Sequence, residues 1–393
     1  MKIVMLCEFF NKDLEYQENL LAKYYTKHKH EVVVIASTVD SVFDYYADKH
    51  DINAPTREYF YQGVKIIKLQ YKWIYLKNRL RKYKDITPIL EKEKPDLIYV
   101  HDIMLNINEA VRYKKKNPKC KMIMDYHADY SNSASGWLSL NILHKIIRRR
   151  FYLDKARKHI SKFFPIVPAS FVFLNEVYAV PYSEMELLPL GADTDLGNEI
   201  RAKKEGLVIR EKLNIPKDAF VVFSGGKLHS NKKTELLIEA FLKVQTPQLH
   251  LIIVGDSSAA DKSYKEQLLK LANKHPNIHF VGWLNNLEVY KHLDAADIAV
   301  FPASQSILWQ QAISMRLPLI AGDTGSQSIA YLNEFGNIII LNKDEINIEV
   351  ISDNIQKLIT NTQLRNEMKI GAEKITNKLL NWDTLILKTL QYN

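Results

Sequence analysis

FVVFSGGKLHSNKKTELLIEAF, residues 220–241, decides how this chain folds. A β-branched and aromatic run from Phe220 to Phe223 ends at Gly225-Gly226. Three lysines follow (Lys227, Lys232, Lys233), and Leu236, Leu237, Ala240 and Phe241 then recur at helical spacing. The pattern is strand, glycine turn, helix. In an open parallel sheet, ligands bind where a strand's carboxyl end turns into the next helix. Free N–H groups at a helix start, joined by lysine charges, suit an anion such as a phosphate or diphosphate. The plain alternative is an ordinary turn carrying solvated lysines.

The same alternation extends in both directions. Upstream, KIVMLCEFF, EVVVIAS, VKIIKLQY, DLIYVHD and KMIMDYH read as strands. Helical stretches lie at 18–25 and 107–116, and 138–163 reads as mostly helix. Downstream, HLIIVGD, IHFVGW, IAVFPAS, PLIAG and NIIIL alternate with helices at 261–274, 286–295, 307–315 and 326–334, and helices continue to the end. Repeated strand–helix units predict parallel sheets covered by helices on both faces. A charged, strandless stretch near 195–218 predicts a seam between two α/β domains. A cleft between two such domains is a usual place for a small-molecule site.

Composition bounds the function. The 393 residues allow two or three domains, and 47% hydrophobic with 25% charged residues is ordinary globular usage. No run approaches the roughly 20 apolar residues of a membrane span. Two cysteines, Cys7 and Cys120, offer neither a disulfide framework nor a zinc cluster, so a cytoplasmic setting is expected. The net charge of +9 suits polyanions or an anionic membrane surface. No module that reads nucleic acid is visible, and none is expected as partner. The first strand runs into NKDLEYQEN and the first glycine is Gly63, so the dinucleotide fingerprint is missing. No G-x-x-x-x-G-K-[ST] loop is present either.

Along nearly its whole length the chain resembles the family-four retaining glycosyltransferases of the GT-B fold. Gly226-Lys227-Leu228, Asn231-Lys232-Lys233, Leu237-Ile238 and Ala240 follow that family's G-R-L-x-x-E-K-G-x-x-x-L-I-x-A segment. LIIVGD at 251–256, FVGWLNNLEVYKHLDAADIAVFPAS at 280–304, AISMRLPLIAGDTGSQSI at 312–329 and LLPLGAD at 187–193 continue the match. The resemblance implies two Rossmann-like parallel-sheet domains facing a central cleft. It divides the chain into an acceptor-side domain at 1–195, a linker at 196–218, a donor-binding domain at 219–375, and a last helix at 376–393 returning to the first domain. A nucleotide-diphosphate sugar, UDP-sugar favoured, is the implied donor. The implied acceptor is a saccharide or lipid-linked saccharide of a bacterial surface glycan. Lys227 and Lys232 are the implied diphosphate grip, with lysine replacing a bidentate arginine at 227. Gly225, Gly226, Gly255, Trp283, Leu284, Ser304, Gln305, Ser306 and Gln311 are the implied donor contacts.

The family's glutamate pair, eight positions apart, is missing. Gln311 falls on the second glutamate, and the first has no clear counterpart near Ala303 to Gln305. Gln311 can still bond ribose hydroxyls but brings no negative charge. That departure keeps open a non-catalytic sugar-nucleotide-binding or scaffold subunit, and a GT-B epimerase is a third reading.

In the first half His127 is the leading catalytic candidate, with a capping or core histidine as the alternative. His101, Asp102, Asp129, Tyr16, Gln17 and Glu18 are acceptor-side candidates, Glu18 being equally readable as a helix N-terminal charge. His101, Asp102, His127 and Asp129 are also plausible metal ligands, but the resemblance implies a reaction without metal or other cofactor. From Trp137 to Phe164 apolar residues mingle with Arg148, Arg149, Arg150, Arg157 and Lys158. This suits peripheral contact with an anionic membrane, or a core helix with a solvated basic face.

Overall fold

The computed structural model describes the chain except residues 13, 15, 42, 43, 46–50, 52, 73–80, 135, 247, 274, 304, 305, 326–328 and 393. It divides into two compact units, Met1–Pro189 with Trp382–Asn393, and Leu190–Asn381.

The first unit is built on seven strands: β1 (Lys2–Leu6), β2 (Glu31–Ser37), β3 (Arg57–Tyr61), β4 (Val64–Leu69), β5 (Leu97–His101), β6 (Lys121–Tyr126) and β7 (Phe163–Pro165). Their order is β3-β4-β2-β1-β5-β6-β7. All pairings are parallel except β3 with β4, which is antiparallel at the sheet edge. Sequence periodicity expected only parallel strands. REYFY forms the antiparallel edge because Gln62-Gly63 reverse the chain, both at positive φ. The five residues of β1 show why the sheet is covered on both sides. Val4 and Leu6 pack into one core and Ile3 and Met5 into the other, all of them buried. Trp382, Leu385 and Ile386 of the last helix complete that second core.

The second unit holds β8 (Phe220–Gly225), β9 (Leu249–Val254), β10 (Ile278–Gly282), β11 (Ile298–Phe301), β12 (Leu319–Asp323) and β13 (Ile338–Asn342), ordered β10-β9-β8-β11-β12-β13 and wholly parallel. Val221 and Phe223 face one core and Val222 the other. The charged stretch after Asp193 is helical, Thr194–Lys203 and Glu205–Lys212, and clusters with this unit. The Asp193 side chain starts it by accepting the Leu196 N–H at 3.2 Å.

Candidate active site

In the first unit the polar groups gather at the ends of β5 and β6. Register sets His101 beside Asp125. Asp125 is fully buried beside Ile123, Met124 and Tyr126, so its charge has to be met by donors. Tyr99 Oη and His101 Nδ1 each donate to its Oδ2 at 2.8 Å, and His127 Nε2 stands 3.3 Å from the same oxygen. The Asp102 N–H donates to Oδ1 at 3.0 Å. Asp102 sits at φ +62° and accepts the His127 N–H at 3.1 Å, tying the two strand ends together. The two imidazoles meet edge to face with centroids 4.4 Å apart. Glu18 Oε2 lies 3.8 Å from His101 Nε2.

Burial works against a charged His101, but the Asp125 carboxylate outweighs it and lifts the pKa to about 10. Burial works against a charged Asp125 too. His101 and His127 overcome it and hold the carboxyl well below its usual range. Glu18 is pushed up by burial, with His101 opposing. At neutral pH the cluster is therefore an imidazolium held between carboxyl groups. His101, Asp125 and His127 each place one ligand atom within 4.8 Å of the others, a set that would suit a transition metal. The bonds converge on one carboxylate oxygen, Asp125 Oδ2, to which Tyr99 also donates.

Asp125 escaped the sequence reading. A single acid in KMIMDYH reads as a strand end, and only pairing with β5 sets His101 beside it, across from His127 two positions on. The available signal was an ionisable residue inside a strand with no polar alternation. The remaining acceptor-side candidates divide. Tyr16 precedes the helix Gln17–Lys27 and is exposed. Gln17 and Glu18 are buried in its first turn, and neither amide atom of Gln17 has a hydrogen-bond partner among the described residues. Asp129 instead shapes its own loop. Its Oδ1 accepts from the Ser131 N–H and hydroxyl and from the Asn132 N–H.

In the second unit β8 ends at Gly225 and bends at Gly226, and β9 is followed by Gly255. Gly226 and Gly255 both have φ +119°. A Cβ on Gly255 would fall 1.9 Å from the Gly226 carbonyl oxygen, so no other residue fits there. A Cβ on Gly226 would meet Ser306 Oγ at 3.5 Å and Lys232 Cε at 3.8 Å. Ser306 and Lys232 thus flank one turn. Lys232 closes the short 3₁₀ turn Ser230–Lys232 ahead of the helix Thr234–Lys243. Burial lowers its pKa to about 8. Lys227 is different: its side chain is 52% exposed and its Nζ lies 3.3 Å from Asp261.

Ser306 Oγ accepts the Leu308 N–H at 3.3 Å where the helix Leu308–Ser314 begins. Gln311 on that helix is buried. Its Nε2 donates to Asn286 Oδ1 at 2.6 Å, and its Oε1 has no partner among the described residues. Trp283 is 68% exposed, while Leu284 packs against the core. Ser304 and Gln305 lie outside the described residues.

The chain's relatives identify its family. Residues 19–196 match the family model described as Glycosyltransferase Family 4, and residues 207–375 match that described as Glycosyl transferases group 1. The chain belongs to the family-four glycosyltransferases. Among curated members it is 23% identical over 273 residues to the alpha-monoglucosyldiacylglycerol synthase of Acholeplasma laidlawii, covering 65% of each chain. It is 21% identical over 211 residues to a D-inositol 3-phosphate glycosyltransferase of Stackebrandtia nassauensis, covering 51% of this chain and 46% of that one. The match thus spans less than two-thirds of these curated members. Solved structures cover far more. Anabaena Alr3699/HepE, solved in complex with UDP, superposes with a TM-score of 0.70 at 16% identity over the whole of both chains. A glycosyltransferase of Rickettsia africae gives 0.69 at 15% identity, over 100% of this chain and 97% of that one. At such identities the likeness fixes the fold, GT-B, for this family member.

Proposed function

We propose that this family member transfers a sugar, with retention of anomeric configuration, from a nucleotide-diphosphate sugar to a saccharide or lipid-linked saccharide. The carrying observation is Lys232, packed against the Gly226 turn with its charge disfavoured by burial. A half-buried ammonium and Ser306 Oγ set against one glycine turn suit an anion, and a departing diphosphate is that anion. The bond from the anomeric carbon to the phosphate oxygen breaks, and the electron pair stays on the diphosphate. The acceptor hydroxyl attacks from the same face, and a diphosphate oxygen takes its proton. Lys232, Lys227 and the amides near Gly226 and Ser306 meet the charge, so the step calls for no metal.

Gln311 and Asn286 are assigned to the ribose hydroxyls, because Gln311 Oε1 is an acceptor without a donor among the described residues. The backbone at Trp283 and Leu284 is assigned to the base. A UDP-sugar is favoured, and the complex of Alr3699/HepE with UDP is in keeping with it. His127 and the His101 imidazolium are assigned to the sugar or acceptor near the reacting carbon. Gln17, whose amide has no partner among the described residues, is assigned to acceptor hydroxyls. The named lipid product of the Acholeplasma laidlawii relative supports a lipid-linked acceptor. A cytoplasmic site of action in surface-glycan synthesis is the setting we assign.

One observation favours a second reading. Gln311 stands where the family has a carboxylate, which weakens the ribose grip and fits a non-catalytic nucleotide-sugar-binding subunit. Incubating the purified chain with UDP-, GDP- and CDP-sugars separates the two. The transferase releases nucleoside diphosphate, and Lys232→Met abolishes the release. A binding subunit is stabilised by the nucleotide and releases none.

A further inference from the structure

The longest helix of the first unit, Ser139–Leu153, is wound as a π-helix. Hydrogen bonding from i to i+5 gives somewhat more than four residues per turn. Leu138, Ile142, Ile147 and Phe151 then fall close to one line, with Leu143 and Ile146 on either side of it. At the α-helical repeat the same six would spread over more than half the circumference. The inner face lies opposite: His144 and Leu153 are buried, and His144 Nδ1 stands 2.6 Å from Tyr178 Oη. The apolar line is therefore left to solvent. Leu138 is 66% exposed, Phe151 54%, and Trp137, just before the helix, 71%. Ile142, Leu143, Ile146 and Ile147 are exposed as well. So long a strip of large apolar side chains on one element marks an interaction surface.

Charge names the occupant. From 145 to 158 the chain carries seven lysines and arginines against one acid, Asp154. Arg150 flanks the strip on one side, exposed, and the exposed Lys155 reaches over its end, with Nζ 5.8 Å from the centre of the Phe151 ring. Two copies of this chain meeting here would bring like charges together. An anionic surface would pair with them while the strip enters its apolar layer. We propose that the helix 139–153 lies in the plane of an anionic phospholipid bilayer, Trp137 to Phe151 inserted and Arg150 and Lys155 on headgroup phosphates. No helix among the described residues is long and apolar enough to cross a membrane, so the contact is peripheral. It involves first-unit residues only and stands whether or not the donor reading holds.

Flotation of the full chain with phosphatidylcholine vesicles, with and without one-third phosphatidylglycerol, tests this. The chain is expected to float with the anionic vesicles, to stay behind with neutral ones, and to be released by high salt. Arg150→Ser should weaken partition about fivefold, the worth of one cation at such a surface. Ile142→Asp/Ile146→Asp should abolish it with the melting temperature unchanged, since both side chains are exposed. Equal flotation with neutral vesicles, or full flotation of the double variant, overturns the proposal. So does a dimer in solution that the double variant splits, which would make the strip a copy-to-copy interface.

Discussion

Lys232 is half-buried and Asp125 wholly buried, with opposite consequences for stability. Lys232 has a folded pKa of about 8, below its unfolded value. The unfolded chain binds more protons between those values, so the residue lowers stability at neutral pH and the penalty fades as pH climbs past 8. Diphosphate binding reverses the bias, and UDP affinity should therefore fall as pH rises above about 8, measurable by calorimetric titration between pH 7 and 9. Asp125 and His101 support each other. The aspartate's share of stability is present above its unfolded pKa and lost as acid approaches its depressed folded value. The histidine's share is complete below its unfolded pKa and lost as pH rises through about 10. Asp125→Asn leaves His101 without its partner and should cost about 3–5 kcal/mol in urea unfolding at pH 6. Lys232 was legible in the sequence because lysines after a glycine turn announce an anion site. Asp125 was not, because strand pairing, rather than nearness along the chain, brings His101 beside it.

Elements were legible where periodicity is strong. FVVFSGG, LIIVGD and IAVFPAS became β8, β9 and β11 because buried parallel strands are near-continuous apolar runs. The sequence reading overlooked β3 and β7. REYFY is an exposed edge strand and FFP only three residues long, so neither offers a long enough pattern. The π winding of 139–153 was equally invisible, since apolar spacing is read against a repeat of 3.6. Glycine turns were half legible. Gly226 stood out in the turn, but the contact that makes Gly255 indispensable, its approach to the Gly226 carbonyl, joins two separate strand ends. Gly255→Ala should therefore displace the Gly226 turn. Its expected result is a lower melting temperature together with loss of UDP stabilisation, read in one thermal-shift series. A variant with parental values on both would show the turn to be free of that contact.

At the scale of the whole molecule, the chain leaves its first unit near Pro189, builds the second, and returns at Trp382. The return is a packed element. Trp382, Leu385 and Ile386 are fully buried in the first unit's core, Asp383 pairs with Lys27 and His28, and Thr389 bonds Tyr25. A chain ending at Asn381 uncovers that core and should lose several kcal/mol from the first unit, at roughly 1.5–3 kcal/mol per large apolar side chain. Scanning calorimetry should then show one early transition, while the transition that UDP stabilises stays in place. The diphosphate site itself is tested most directly by melting the full chain and Lys232→Met with and without UDP. The site described here predicts that UDP stabilises the parent and not the variant, and that the ligand-free variant melts at or above the parent. A variant that keeps the full UDP shift would contradict it.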